Sequence, residues 1–153
     1  MDDLIQAMKV VLADTVTFGM RAHQYHWNVE GSDFYQYHKF FQEIYQEAEG
    51  AVDGIGEQIR QLDAYAPLSP KRIAELTSLQ ETDVAPKPMV MVRNLYNDNN
   101  VILQSLMNAY RLADQFNEIG LSNFLQDRTM AHKQHLFFLR ATLKGEEQWV
   151  TNR

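Results

Sequence analysis

The imidazoles of His26 and His38 and the carboxylates of Asp53 and Glu57 are the residues of this chain best suited to chemistry. Two nitrogens and two oxygens form a borderline-to-hard donor set that suits Fe(II), Mn(II) or Zn(II). On a helix turning 100° per residue, with His38 at 0°, Gln42 falls near about 40°, Asp53 near about 60° and Glu57 near about 100°. Phe40, Phe41, Ile44, Ala48, Ile55 and Ile59 fall between about 200° and 320° and belong to the chain's own core. The ligand-type residues therefore share an outward face, with Asp53 and Glu57 one turn apart. One chain cannot close a site from them, because His38 and Asp53 are about 22 Å apart at 1.5 Å per residue. Two copies can. Antiparallel helices crossing at a two-fold near Glu47 and Ala48 bring His38 of one chain beside Asp53 and Glu57 of the other, twice.

Such helices need a bundle to carry them. The chain has 153 residues and is 45% apolar, enough for one core and one domain. Apolar residues at Leu4, Met8, Val11, Leu12, Phe18 and Ala22 predict a first amphipathic helix over residues 3–27, a stripe that His26 continues. A short turn ending in Ser32 or Asp33, either able to cap, leads into a second helix over residues 34–63. Gly50, Gly54 and Gly56 lie inside that helix, each costing about 1 kcal/mol against alanine, which close approach of another helix near the two-fold would offset. All four prolines, Pro67, Pro70, Pro86 and Pro88, follow in one linker. Ser69 before Pro70 predicts a short helix over residues 71–79. A third helix spans residues 88–116 and is stopped by Gly120. A fourth covers residues 121–143 and is ended by Gly145. The expected architecture is all-α: a ferritin-like four-helix bundle over residues 1–145, with one long crossover carrying a short extra helix, and a tail over residues 146–153.

Composition removes several function classes. There is no cysteine, hence no disulfide, thiolate ligand or cysteine nucleophile. Residues 1–25 lack the pattern of a signal peptide and no apolar run approaches 18 residues, so the expected location is cytoplasmic, with no membrane. A net charge of −6 without a basic arm argues against DNA binding and for gathering cations. A di-iron centre within one bundle usually takes Glu from two helices and Glu-x-x-His from the other two. The third helix has no glutamate, and His132 and His135 have none three positions before them. Both read as surface or core-edge residues.

The run from His23 to Gly31 (HQYHWNVEG), followed by His38 and then Asp53-x-x-x-Glu57, closely resembles the Dps family of mini-ferritins. The resemblance implies a homo-oligomeric shell of twelve subunits that oxidises Fe(II) at dimer interfaces and stores ferric mineral in its cavity. It implies His26 and His38 as ligands from one subunit, Asp53 and Glu57 from its mate, and Trp27 beside the iron as an aromatic ring that absorbs oxidising equivalents. As a residue by itself, Trp27 reads equally well as a helix-end anchor. Gln42 stands where the family commonly has an acid, so at most two irons per site are expected, the second held weakly. Glu49, near about 20° on the same face, is a distant substitute. Zn(II) or Mn(II) could replace iron. The resemblance further implies acidic entry pores at three-fold axes, with Glu118 and Asp127 as candidates and Asn123 where the family has an aspartate. Hydrogen peroxide, or more slowly dioxygen, is the expected oxidant. The alternatives are a DNA-coating nucleoid protein and a structural cage with a weakened metal centre.

Overall fold

A computed structural model describes residues 1–147, with side chains described through Gly145. Residues 148–153, with most of the expected tail, lie outside the described residues. Five helices follow one another: α1 (Asp2–Asn28), α2 (Phe34–Gln61), α3 (Pro70–Leu76), α4 (Pro88–Gln115) and α5 (Ile119–Glu147). The four long ones form the bundle. The tight 29–33 turn makes α1 and α2 one hairpin, the 116–118 turn makes α4 and α5 another, and α1 packs against α4 to join them. The crossover carries α3 against α1.

The core is the meeting line of four apolar stripes, with Phe18, Phe41, Ile44, Ile55, Met91, Leu95 and Leu125 each essentially without solvent contact. One buried carboxylate ties the crossover to it. Asp14 accepts hydrogen bonds from Thr77 Oγ1 (2.8 Å), the Ser78 N–H (2.6 Å) and Ser105 Oγ (2.7 Å), linking α1, the crossover and α4. Arg21 reinforces this by pairing with Asp98 and donating to the carbonyl of Gln80. Burial nonetheless raises the Asp98 carboxyl pKa, against the lowering by Arg21.

Helix ends correct several expectations. Ser69 caps α3 as anticipated, accepting from the Arg72 N–H at 3.0 Å with Pro70 in the first turn, but α3 stops at Leu76. Asp33 occupies the N-cap position of α2 without a side-chain capping bond. Neither Gly120 nor Gly145 ends a helix, for both lie inside α5. Asn117 does the stopping after α4: at φ 59° it lets the Glu118 N–H reach the Ala113 carbonyl (2.9 Å) and its own N–H reach Asp114 (3.0 Å). Asp63, also at φ 59°, ends α2 in the same way.

The glycines of α2 also divide differently from the expectation. A Cβ at Gly54 would stand 3.2 Å from the Phe124 ring of the same chain, and one at Gly56 would touch Leu12 at 3.6 Å. Gly54 thus serves packing inside the bundle, whereas at Gly56 a methyl would make ordinary contact with the same chain. Only Gly50 has open space before it. Ala48 is buried and Glu47 turns inward, so at mid-height only Gly50 and its exposed neighbours are left for a second helix to approach.

Candidate metal centre at the outer face of α1 and α2

The short turn after α1 folds the end of that helix onto the start of α2 and brings His26 against His38. Their rings stack with centroids 3.7 Å apart and planes 16° from parallel. His26 Nδ1 donates to the His38 carbonyl, and His38 Nδ1 donates to the His26 carbonyl, each at 2.7 Å. A carbonyl only accepts, so both Nδ1 atoms carry hydrogen, and the neutral rings keep their lone pairs on Nε2. Two imidazole donors are thus held in one tautomer and one orientation by backbone, the outer-sphere arrangement that prepares histidine to bind metal.

Aromatic rings surround the pair. Phe34 stacks on His38 at 4.8 Å, and the Tyr45 ring meets His26 edge-on at 5.2 Å. Tyr45 also stacks on His23 at 3.8 Å, and His23 contacts Trp27 at 4.4 Å. Trp27 itself is 58% exposed, so it does not anchor the helix end in this chain's core. His23 Nδ1 lies 3.1 Å from Glu49 Oε1, which engages Glu49 on the α1 side.

The carboxylates stand apart. Asp53 and Glu57 are exposed on the same helix, and Gln42 is half-buried one turn after His38. Among the described residues, no three His, Asp or Glu side chains are placed to hold a metal ion. The structure therefore brings His26 and His38 together and leaves Asp53 and Glu57 unjoined to them within one chain. Asn123 and Asp127 lie exposed one turn apart near the start of α5, and Glu118 is half-buried in the turn before it.

The expectation for His132 and His135 is overturned. Both are buried, at 0% and 6% exposure. They belong to an interior network with Glu47, Arg128 and Asn99: Arg128 donates to both oxygens of Glu47 (2.7 and 3.0 Å), and His135 Nε2 lies 2.9 Å from Glu47 Oε1. Burial favours the protonated carboxyl of Glu47, but the hydrogen bonds from His135 and Arg128 outweigh it and hold the group well below the carboxylate range. Burial, with the Arg128 charge, lowers His132 to about 3, so its ring is neutral at ordinary pH. A sequence signal existed for this network. Arg128, His132 and His135 recur at i, i+4 and i+7 on one face of α5, and Glu47, at about 180° on the α2 wheel, borders the apolar arc.

The ferritin-like domain family matches residues 5–148. The chain is 29% identical to general stress protein 20U of Bacillus subtilis, over 93% of this chain and 98% of that protein. It is 26% identical to DNA protection during starvation protein 2 of Bacillus anthracis, over 92% and 96%. The fold superposes on the Dps protein of Vibrio cholerae, described as one of the ferritin-like diiron-carboxylate proteins, with a TM-score of 0.88 at 24% identity, over 93% and 89%. Relatives named for DNA protection, and one from Nostoc named as a nutrient stress-induced DNA-binding protein, withhold support from the expectation that DNA is not a partner. Among the described residues no helix is long and apolar enough to cross a membrane. With nearly its whole length matched and its fold superposing on that of a Dps protein, the chain belongs to the ferritin-like family, as a Dps-type mini-ferritin.

Proposed function

We propose that this protein is a stress-protective iron-storage protein that oxidises Fe(II), preferably with hydrogen peroxide, at sites shared between subunits of a closed homo-oligomer of twelve. The observation that carries this reading is the His26–His38 pair, whose reciprocal bonds to backbone leave two Nε2 lone pairs unused by the chain itself. Its complement is the exposed Asp53 and Glu57, which a two-fold mate would bring to the pair. The two imidazoles bind the Fe(II) substrate without charge, and the mate's carboxylates supply the negative charge that favours Fe(III) over Fe(II). Gln42 offers an amide oxygen to a second, weaker iron position. Two Fe(II) give one electron each to H2O2, which takes up two protons and leaves as two waters; the Fe(III) then hydrolyses and passes into the mineral. Trp27 is assigned the role of absorbing an oxidising equivalent when only one iron is present, a reading supported by its ring contacts to the pair through His23 and Tyr45.

The test is stopped-flow oxidation of Fe(II) by peroxide. The native rate should exceed that of His38→Ala with Asp53→Ala; equal rates would leave a structural cage. The names of the relatives support a second reading, in which DNA is protected by direct contact as well as by removal of iron and peroxide. A gel shift at low salt decides it.

A further inference from the structure

The interior network has the donor set of a metal site, and a guanidinium stands at its centre. Glu47 comes from α2; His132 and His135 come from one face of α5. Asn99 fixes the donors on His132. Its amide N–H donates to the His132 carbonyl at 2.9 Å, which leaves Asn99 Oδ1 to accept from His132 Nδ1 at 2.8 Å. The lone pair of His132 is therefore on Nε2, and that atom lies 3.2 Å from Arg128 Nη2. The same Nη2 is 3.0 Å from Glu47 Oε1, and Nη1 is 2.7 Å from Oε2. Arg128 Nε has no hydrogen-bond partner, so the guanidinium is held by its two terminal nitrogens alone.

As they stand, with Arg128 between Glu47 and His132, no three metal-ligating side chains among the described residues are placed to hold an ion. His135 Nε2 donates to Glu47 Oε1 at 2.9 Å. A route in exists. A cavity of about 170 Å³ between α2 and α5 opens on Glu47 and His135, walled by Phe40, Ile44, Ala131 and Phe138. Glu47 keeps 35% of its side chain exposed, whereas Arg128 keeps 10%.

We infer that Arg128 is a resident cation in a metal-type pocket inside each bundle, and that by neutralising Glu47 it keeps divalent metals out of the interior. Arg128 is thereby a specificity-determining residue: with the interior closed, iron is confined to the subunit face, a consequence that rests on the function proposed above. The physical reason is charge. A divalent ion entering beside an arginine must expel it or be repelled by it, and a guanidinium is never deprotonated in a protein. With arginine removed, Glu47 becomes a part-buried uncompensated carboxylate flanked by two imidazoles and gains most by taking up an ion.

The test uses Co(II) as the probe, in a His38→Ala, Asp53→Ala background that removes the outer site. Adding Arg128→Met should create one Co(II) per chain, seen as visible d–d absorption retained through gel filtration, with a Tm that climbs with Co(II) concentration. Adding Glu47→Gln to that variant should abolish both readouts while the fold persists. A folded Arg128→Met chain that gains no Co(II) overturns the inference, as does a misfolded one that Co(II) does not restore. Binding with Arg128 intact, lost on Glu47→Gln alone, overturns it too. Iron oxidation that survives His38→Ala with Asp53→Ala would instead refute the outer site and leave the cobalt result standing.

Discussion

Two histidine pairs, built from the same side chain, have opposite fates in this molecule. His26 and His38 lie at a helix hairpin's end and spend Nδ1 on backbone carbonyls, and among the described residues Nε2 takes no hydrogen-bond partner. His132 and His135 lie mid-bundle, where each Nε2 meets a partner, Arg128 for one and Glu47 for the other. Donor identity is equal at the two places. What differs is whether the chain itself has already supplied the positive charge those donors could take up. At the outer pair it has not, and at the inner pair Arg128 has.

The comparison breaks most visibly at the outer pair. His26→Ala or His38→Ala should slow peroxide-driven Fe(II) oxidation by about tenfold or more, at least one step of about 1.4 kcal/mol in the barrier, with a change in melting limited to the loss of a stacked ring and its bond to a backbone carbonyl. Stopped-flow absorbance measures it. The mirror experiment is Arg128→Met alone, without added metal. It should leave iron oxidation at the outer site intact but destabilise the fold by about 2–3 kcal/mol, below the full cost of breaking a buried pair because Glu47 is 35% exposed. Urea unfolding of the assembled protein gives the value.

The inner pair also carries a pH signature. His132 titrates near 3 in the fold against 6.5 unfolded, so between these values the unfolded chain binds the extra proton. Stability should therefore fall as pH is lowered from 6.5 towards 3. Glu47, whose native pKa is depressed, adds loss in the same direction below its ordinary value of 4.5, where the unfolded carboxyl takes up a proton. His132→Gln should flatten the upper part of that slope; chemical denaturation across the pH range measures it. The smallest effect belongs to the linker that lies clear of both pairs. Ser69→Ala should cost about 1 kcal/mol through loss of the α3 cap and alter neither site.

Much of this was legible in the residues, and the failures are local. The four long helices follow from apolar spacing, because burying a stripe on each is the main way such a chain gains stability. The crossover follows from its prolines. The end of α4 agrees within one residue, but glycine spacing credits its stop to Gly120 and ends α5 too early at 143, while Asn117 adopts the left-handed conformation that glycine usually supplies. Gly54 was assigned to a partner contact, yet its missing Cβ makes room for Phe124 of the same chain. The expectation of His132 and His135 at the surface or core edge fails because a polar residue is a poor guide to burial when its partners, Asn99, Arg128 and Glu47, come from other turns and other helices.

By itself the sequence determined which faces exist: period and polarity decide that His38, Gln42, Asp53 and Glu57 share one side of α2 and that the apolar arc takes the other, since helical geometry is local. Only the tertiary structure decided which donors stay free. Whether a nitrogen keeps its lone pair depends on the carbonyl, amide, carboxylate or guanidinium that packing sets about 3 Å from it, and, Arg128 four residues from His132 apart, those groups come from positions 12 to 88 residues away.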